Sequence, residues 1–196
     1  MKRLIILVTF IFLSCSPKQD EIDKIEIMSY QYWWLEEEPN IKINPILYAE
    51  INKNENVLIE KQEEIFTYYK TEIETDYIKE LSNQTKNFDE QYFKHIRDST
   101  KISIDDYPII RIKIEYRNGK VLSFYFNEIE KNKKYSASIN LFKELIRKSK
   151  DKNHSIIASS KIKLKRNGYA DFCINKDTLE RAIPKPNKTK IKFTNP

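Results

Sequence analysis

Two histidines, two cysteines and two glycines limit the chemistry open to this chain. His95 precedes Asp98 by three residues, a spacing that puts a carboxylate beside an imidazole on one helix face. Catalysis would also need a nucleophile within reach of that imidazole, and the sequence places no serine or cysteine there. His154 lies in a stretch rich in lysine and asparagine and reads as solvated. Zinc takes Cys, His or carboxylate ligands at close spacing. No such cluster occurs, and no calcium-loop spacing either. Asp105 and Asp106 read as a turn, and the glutamates at 36–38 as a solvated run. A P-loop, a dinucleotide-binding turn and a serine-nucleophile elbow need glycines at fixed offsets. Gly119 and Gly168 are the only glycines and match none of them. No metal, cofactor or catalytic residue is therefore assigned. One enzymatic route stays open, a hydrolase that uses a carboxylate pair on a substrate such as glycan. It requires two carboxylates about 5 to 10 Å apart in a cleft.

The residues best suited to binding are aromatic. Tyr30, Tyr32, Trp33 and Trp34 fall within one β-like run, residues 25–35. Neighbouring side chains on a strand point to opposite faces, so Trp33 and Trp34 cannot share a core if one sheet face is wet. The four are candidate partner-binding residues, because exposed Tyr and Trp offer rigid contact area to a protein or a sugar ring. The competing reading is that helices or the C-terminal tail cover them.

The start of the chain has a different character. Lys2 and Arg3 precede an apolar run over residues 4–13, interrupted only by Thr9. That run is shorter than the roughly 20 residues a membrane span needs, and it has the length of a signal-peptide core. It ends in Phe12-Leu13-Ser14-Cys15. This segment resembles bacterial lipoproteins, with a small residue directly before the cysteine. Phe12 stands where leucine is usual. The resemblance implies cleavage before Cys15, acylation of that cysteine, and a lipid-anchored protein of the bacterial cell envelope, of the outer-membrane lipoprotein type. The periplasmic and surface faces both remain open. Lys18 followed by Asp20 and Glu21 is similar to a surface-export tract, and reads equally as a solvated linker. Several acyl chains anchor stably where one would not, since each buried methylene contributes about 0.8 kcal/mol.

Removal of the leader lowers the formal net charge from +6 to +4, because Lys2 and Arg3 leave with it. The surplus is modest and lysines alternate with glutamates, so nucleic acid is not an expected partner. If Cys15 carries lipid, Cys173 has no intramolecular partner and reads as an inert thiol. The organisation expected is a signal peptide over 1–14, a lipidated N-terminus and tether over 15–24, one domain over 25–183, and a basic tail or edge strand over 184–196.

Strand and helix periods then order the domain. Ile110, Ile112 and Ile114 alternate with Arg111, Lys113 and Glu115, and Leu122, Phe124 and Phe126 alternate with polar or smaller residues. A three-residue loop over Arg117-Asn118-Gly119, with Gly119 left-handed, pairs Ile114 with Leu122, Ile112 with Phe124 and Ile110 with Phe126. That register makes one wholly apolar face and leaves Arg111, Lys113, Glu115 and Tyr125 on a mixed outer face. Pro108 stands at the strand entrance. Residues 46–51 and 57–59 predict a second hairpin, and 65–73 a further strand. Residues 76–98 predict one kinked or two short helices, with a capping-box-like start at Asn87 and Glu90. Residues 136–149 predict the clearest helix, with Ile139, Phe142, Leu145 and Ile146 on one stripe and Glu144 paired to Lys148.

A third hairpin is expected over 160–174 around Arg166-Asn167-Gly168, pairing Ile162 with Phe172 and setting Lys163 opposite Asp171. Together these elements predict an α+β fold, an antiparallel β-sheet built from hairpins with two helical blocks packed on one face. The first hairpin is expected to be the scaffold of the sheet. The arrangement resembles in outline small lipoprotein domains of unknown function, a likeness in the order of elements without a diagnostic motif. The functional expectation is a non-catalytic binding or assembly module that contacts the membrane through Cys15 lipid and an envelope protein or glycan through its surface. An inhibitor or immunity-type protein is a special case of it.

Overall fold

The computed structural model describes residues 21–33, 42–63, 66–88, 108–127, 133–157 and 160–180. The fold is α+β, with a seven-stranded antiparallel sheet and three α-helices among the described residues. The strands are β1 (Ile22–Trp33), β2 (Lys42–Asn52), β3 (Asn56–Gln62), β4 (Phe66–Glu72), β5 (Ile109–Tyr116), β6 (Val121–Asn127) and β7 (Ser155–Ile156). The helices are α1 (Thr75–Thr85), α2 (Ser136–Lys148) and α3 (Ser160–Glu180). The spatial order is β6-β5-β1-β2-β3-β4-β7.

The β5–β6 hairpin has the expected register, with Ile114 opposite Leu122, Ile112 opposite Phe124 and Ile110 opposite Phe126. Gly119 has φ +84°, the left-handed value the turn demands. The hairpin is not the scaffold of the sheet, however. It forms one side, and β1 and β2 run through the interior. The tether also proves shorter than expected. Residues 22–24, with Asp23 and Lys24 among them, belong to β1, because Ile22 pairs with Tyr116 and Lys24 with both Glu115 and Asn52. Strand partners on both sides outweigh local polarity there.

The β2–β3 hairpin uses the same kind of turn as β5–β6, built without glycine. Glu55 N donates to Asn52 O at 2.9 Å, just as Gly119 N donates to Tyr116 O at 2.9 Å. Glu55 takes the left-handed position with φ 62°. A side chain there costs about 1 kcal/mol, so Glu55→Gly is expected to raise the denaturation midpoint modestly, by less than about 1 kcal/mol in stability. Urea unfolding measures this, and an unchanged or lowered midpoint would contradict it. In the β1–β2 pair, β2 is bulged where Ser29 faces Leu47 and Tyr30 faces Pro45. A bulge tolerates a residue with no N–H to donate.

One face of the sheet carries the main core. Ile25, Ile27, Ile59, Ile110, Ile112 and Phe124 are all at most 1% exposed and pack with Leu81 of α1 and Leu141 and Leu145 of α2. Each such side chain contributes about 1.5–3 kcal/mol on burial. The two expected helical blocks therefore do share one face. In α2, Phe142 and Leu145 are buried, while Ile139 and Ile146 pack at the margin. Glu144 is paired to Arg147, by bonds of 2.5 and 2.7 Å, rather than to Lys148. The start of α2 is capped from α1: Gln84 Oε1 accepts from Ala137 N at 2.7 Å and Ser138 N at 3.3 Å. These are helix-end donors that lack intrahelical partners. Beyond residue 88 the expected second helical segment, with His95 and Asp98, lies outside the described residues.

The third hairpin does not exist. Residues 160–180 form α3, a single helix on the opposite face of the sheet. Gly168 is thus a helix residue, and the turn equivalent to Gly119 falls at Glu55. The pairings Ile162–Phe172 and Lys163–Asp171 are absent for the same reason. Alternation around Asn167-Gly168 fits a hairpin locally, but contacts from α3 to the sheet override that local preference.

Candidate functional site

The face under α3 differs in kind from the face under α1 and α2. Its strand residues include Arg111, Glu26 and Glu60, all at most 7% exposed. Charged residues at such depth are rare unless paired. Arg111 and Glu60 take their partners from α3, whereas the Glu26 carboxylate is paired within the sheet to Lys24 and Lys113. Residues 162, 166, 169, 173 and 177 recur at three- and four-residue spacing, so they line one face of the helix. All five are buried.

Asp177 is the densest point. Its Oδ1 accepts from Arg111 Nη2 at 2.6 Å, and its Oδ2 accepts from Tyr30 Oη and Tyr32 Oη, each at 2.5 Å. Both Arg111 and Asp177 side chains have zero exposure. Arg111 also donates to Ser123 Oγ at 3.2 Å and lies over the Tyr125 ring. Burial pushes the Tyr30 hydroxyl far above its ordinary range, so it stays protonated as a donor. Three turns along α3, Arg166 is bonded to Glu60 and stacks over Phe66 at 4.5 Å. Burial raises the Glu60 carboxyl above its ordinary value, against the pull of Arg166. Between these ends, Tyr169 Oη donates to the backbone oxygens of Glu26 and Arg111 at 3.1 and 3.2 Å. Tyr48 Oη donates to Glu26 Oε1 at 3.0 Å.

The expected binding residues separate here. Tyr30 is wholly buried and Tyr32 is half-buried, and both hydroxyls serve Asp177. Tyr30 is therefore a core residue in this state, covered by a helix, and cannot itself touch a partner. Trp33 ends β1 opposite Lys42. Its side chain, the whole of Trp34 and Cys15, where lipid attachment is expected, lie outside the described residues. Cys173 is fully buried, and burial pushes its thiol well above the ordinary range. It is a poor nucleophile at neutral pH. Sequence reading took Arg111 for a wet-face residue. The available signal was the spacing of Arg166, Tyr169, Cys173 and Asp177, which aligns on a helix and scatters on a hairpin.

Two open grooves flank the contact of α1 with α2. The larger, about 510 Å³, lies beside Gln84, Phe88 and Lys133. The other, about 470 Å³, is lined by Glu74, Asp76, Tyr77, Glu80 and Glu144 among others. Paired hydrogen bonds from Arg147 hold the Glu144 carboxyl below its usual range, so it remains a carboxylate and not a proton donor. The carboxyl that is raised, Glu60, is 1% exposed and lies under Arg166, away from either groove. Among the described residues no group of three or more His, Cys, Asp or Glu side chains could hold a metal ion.

The fold and this site define an α+β protein whose sheet is covered on one face by apolar packing and on the other by a polar helix. Comparison with protein-family models, curated proteins and solved structures gives no significant match to the chain.

Proposed function

We propose that this is a lipid-anchored protein of the bacterial cell envelope that acts as a non-catalytic binding or assembly module. The observation that carries the anchor is the N-terminal pattern: Lys2 and Arg3, an apolar run of signal-peptide length, then Ser14-Cys15. Acyl chains on Cys15 would attach the module to the membrane, with only residues 16–21 between the anchor and β1. Fully extended, those residues reach about 20 Å. The domain would therefore work close to the membrane surface, on a protein or glycan held there.

Support for binding over catalysis comes from the carboxyls. The described groove carboxylate with a resolved shift, Glu144, is held ionised, and Glu60, whose carboxyl burial raises, is sealed under α3 against Arg166. A retaining or inverting hydrolase needs one carboxylate and one carboxylic acid facing a shared cleft. Membrane fractionation of a Cys15→Ala variant tests the anchor. The variant is expected to keep its leader and lose lipid-dependent membrane attachment, and unchanged attachment with unchanged mass would contradict this. Affinity capture from the envelope tests the binding surface, with Trp33→Ala and Trp34→Ala compared against wild type. Weaker capture is expected from at least one variant, and equal capture from both would remove the aromatic surface from the account.

A further inference from the structure

The two faces of the sheet are covered by different physical means. Isoleucines, leucines and phenylalanines join α1 and α2 to their face. The smaller opposite core contains Met28, Tyr30, Tyr48, Ile109, Tyr169 and Cys173, and two buried ion pairs to α3 flank it, Arg111–Asp177 and Arg166–Glu60. Buried ion pairs contribute little net stability, because desolvation offsets their attraction, yet they fix orientation. Helix α3 is thus docked specifically without the large apolar contribution that secures the other two helices.

Its own sequence also weakens it. Gly168 sits in the helix interior, exposed, with nothing within 4 Å of the position a Cβ would take and no left-handed φ. No packing or backbone geometry there requires glycine, which is among the poorest helix formers. Leu164, on the same helix, is 70% exposed. The alternation of Ile162 and Leu164 before Asn167-Gly168, and of Ala170 and Phe172 after it, favours a hairpin locally. Conflict between local preference and the adopted fold marks an element held by its partners.

We propose that the face beneath α3 is a receptor for a carboxylate-bearing peptide segment of a protein partner, that Asp177 fills it in cis, and that α3 is displaced when the partner binds. Arg111, Tyr30 and Tyr32 supply three donors to a single carboxylate, the arrangement of a carboxylate-recognition site. Glu60 supplies an acceptor for a cation at the other end. Arg166 and Asp177 are eleven residues apart on one helix, which spans roughly 16 Å. The partner segment therefore presents a basic group and a carboxylate at about that separation, with an aromatic or small apolar residue between them. This deepens the binding-module reading and rests on it for the biological occupant. Displacement of α3 itself does not depend on Cys15.

A labelled synthetic peptide with the sequence of residues 160–180 serves as the probe, titrated by fluorescence anisotropy against the full chain. The affinity a site shows falls with the fraction of molecules in which it is open. The Asp177→Asn chain is expected to bind the peptide at least about tenfold more tightly than wild type. The Gly168→Ala chain is expected to bind about fivefold more weakly, the equivalent of alanine's advantage over glycine in a helix interior. A peptide carrying Asp177→Asn is expected to lose most of its binding to every chain. Hydrogen exchange on the same proteins is expected to show α3 amides opening well before those of β1 and β2, and Gly168→Ala slowing them about fivefold. Absence of peptide binding to the Asp177→Asn chain would overturn the proposal. So would α3 amides that exchange no faster than the strand amides. Membrane attachment through Cys15 could fail or succeed without altering either readout.

Discussion

Asp177→Ala is expected to weaken the docking of α3 by about 3–5 kcal/mol, the usual loss when one member of a buried ion pair is removed. The reason lies in what remains. Arg111 has zero side-chain exposure, so its guanidinium would lose the Asp177 charge at a depth water reaches poorly, and two tyrosine hydroxyls would lose the Asp177 oxygen that accepts from them. The loss is expected to be local. Far-UV circular dichroism should lose the helical signal of α3, and hydrogen exchange at residues 160–180 should become fast, while β1, β2 and β5 stay protected. Joint replacement of Arg111 by methionine and Asp177 by leucine is expected to recover most of the docking, because it removes both charges together. A loss below about 1 kcal/mol in Asp177→Ala would show that the pair does not hold the helix.

The second large effect lies on the other face and differs in kind. Phe124 is 1% exposed, meets Phe88 edge-on at 5.4 Å and stacks on Tyr135 at 6.2 Å. It joins β6 to the segments that end α1 and begin α2. Phe124→Ala is expected to lower global stability by about 3–5 kcal/mol, the transfer term plus the cavity left behind. Hydrogen exchange along a denaturant series should show the amides of the sheet, α1 and α2 losing protection in a single transition at a lower midpoint, with α3 opening separately. Separate transitions for the sheet and for α1 and α2 would show that these helices are not part of one cooperative core.

The contrast between these two faces also explains what could be read from the sequence. The β5–β6 register was legible because Ile110, Ile112 and Ile114 alternate on one strand, Leu122, Phe124 and Phe126 alternate on the next, and only one turn geometry aligns them. The helix α2 was legible because its apolar stripe repeats at helical spacing. Both signals lie within short windows and concern apolar burial. What escaped was α3 and everything it covers. Its window holds a credible hairpin, with Asn167-Gly168 as the turn. The interactions that select the helix join Arg166 to Glu60, Tyr169 to Glu26 and Asp177 to Arg111 and Tyr30. Each partner lies far away in the chain, and no periodicity within residues 160–180 names it.

The same cause misplaced Arg111. Alternation assigned it correctly to the face opposite Ile110 and Ile112. Whether that face is wet depends on a distant element, and charge alone suggested water. Tyr30 and Tyr32 were singled out as an aromatic group capable of contact, and they do make a polar contact, but with Asp177 of the same chain. Glu55 is a smaller instance. The turn was legible in the asparagines at 52, 54 and 56, whereas a glutamate in the left-handed position breaks the residue preference that would have identified its type.

The central functional claim concerns Cys15, and intact-mass measurement of the protein purified from the membrane fraction tests it most directly. The account predicts a chain that begins at Cys15, comprises residues 15–196, and carries the added mass of acyl chains that is absent after Cys15→Ala. A chain that retains residues 1–14, or one that begins elsewhere with an unmodified Cys15, would contradict it.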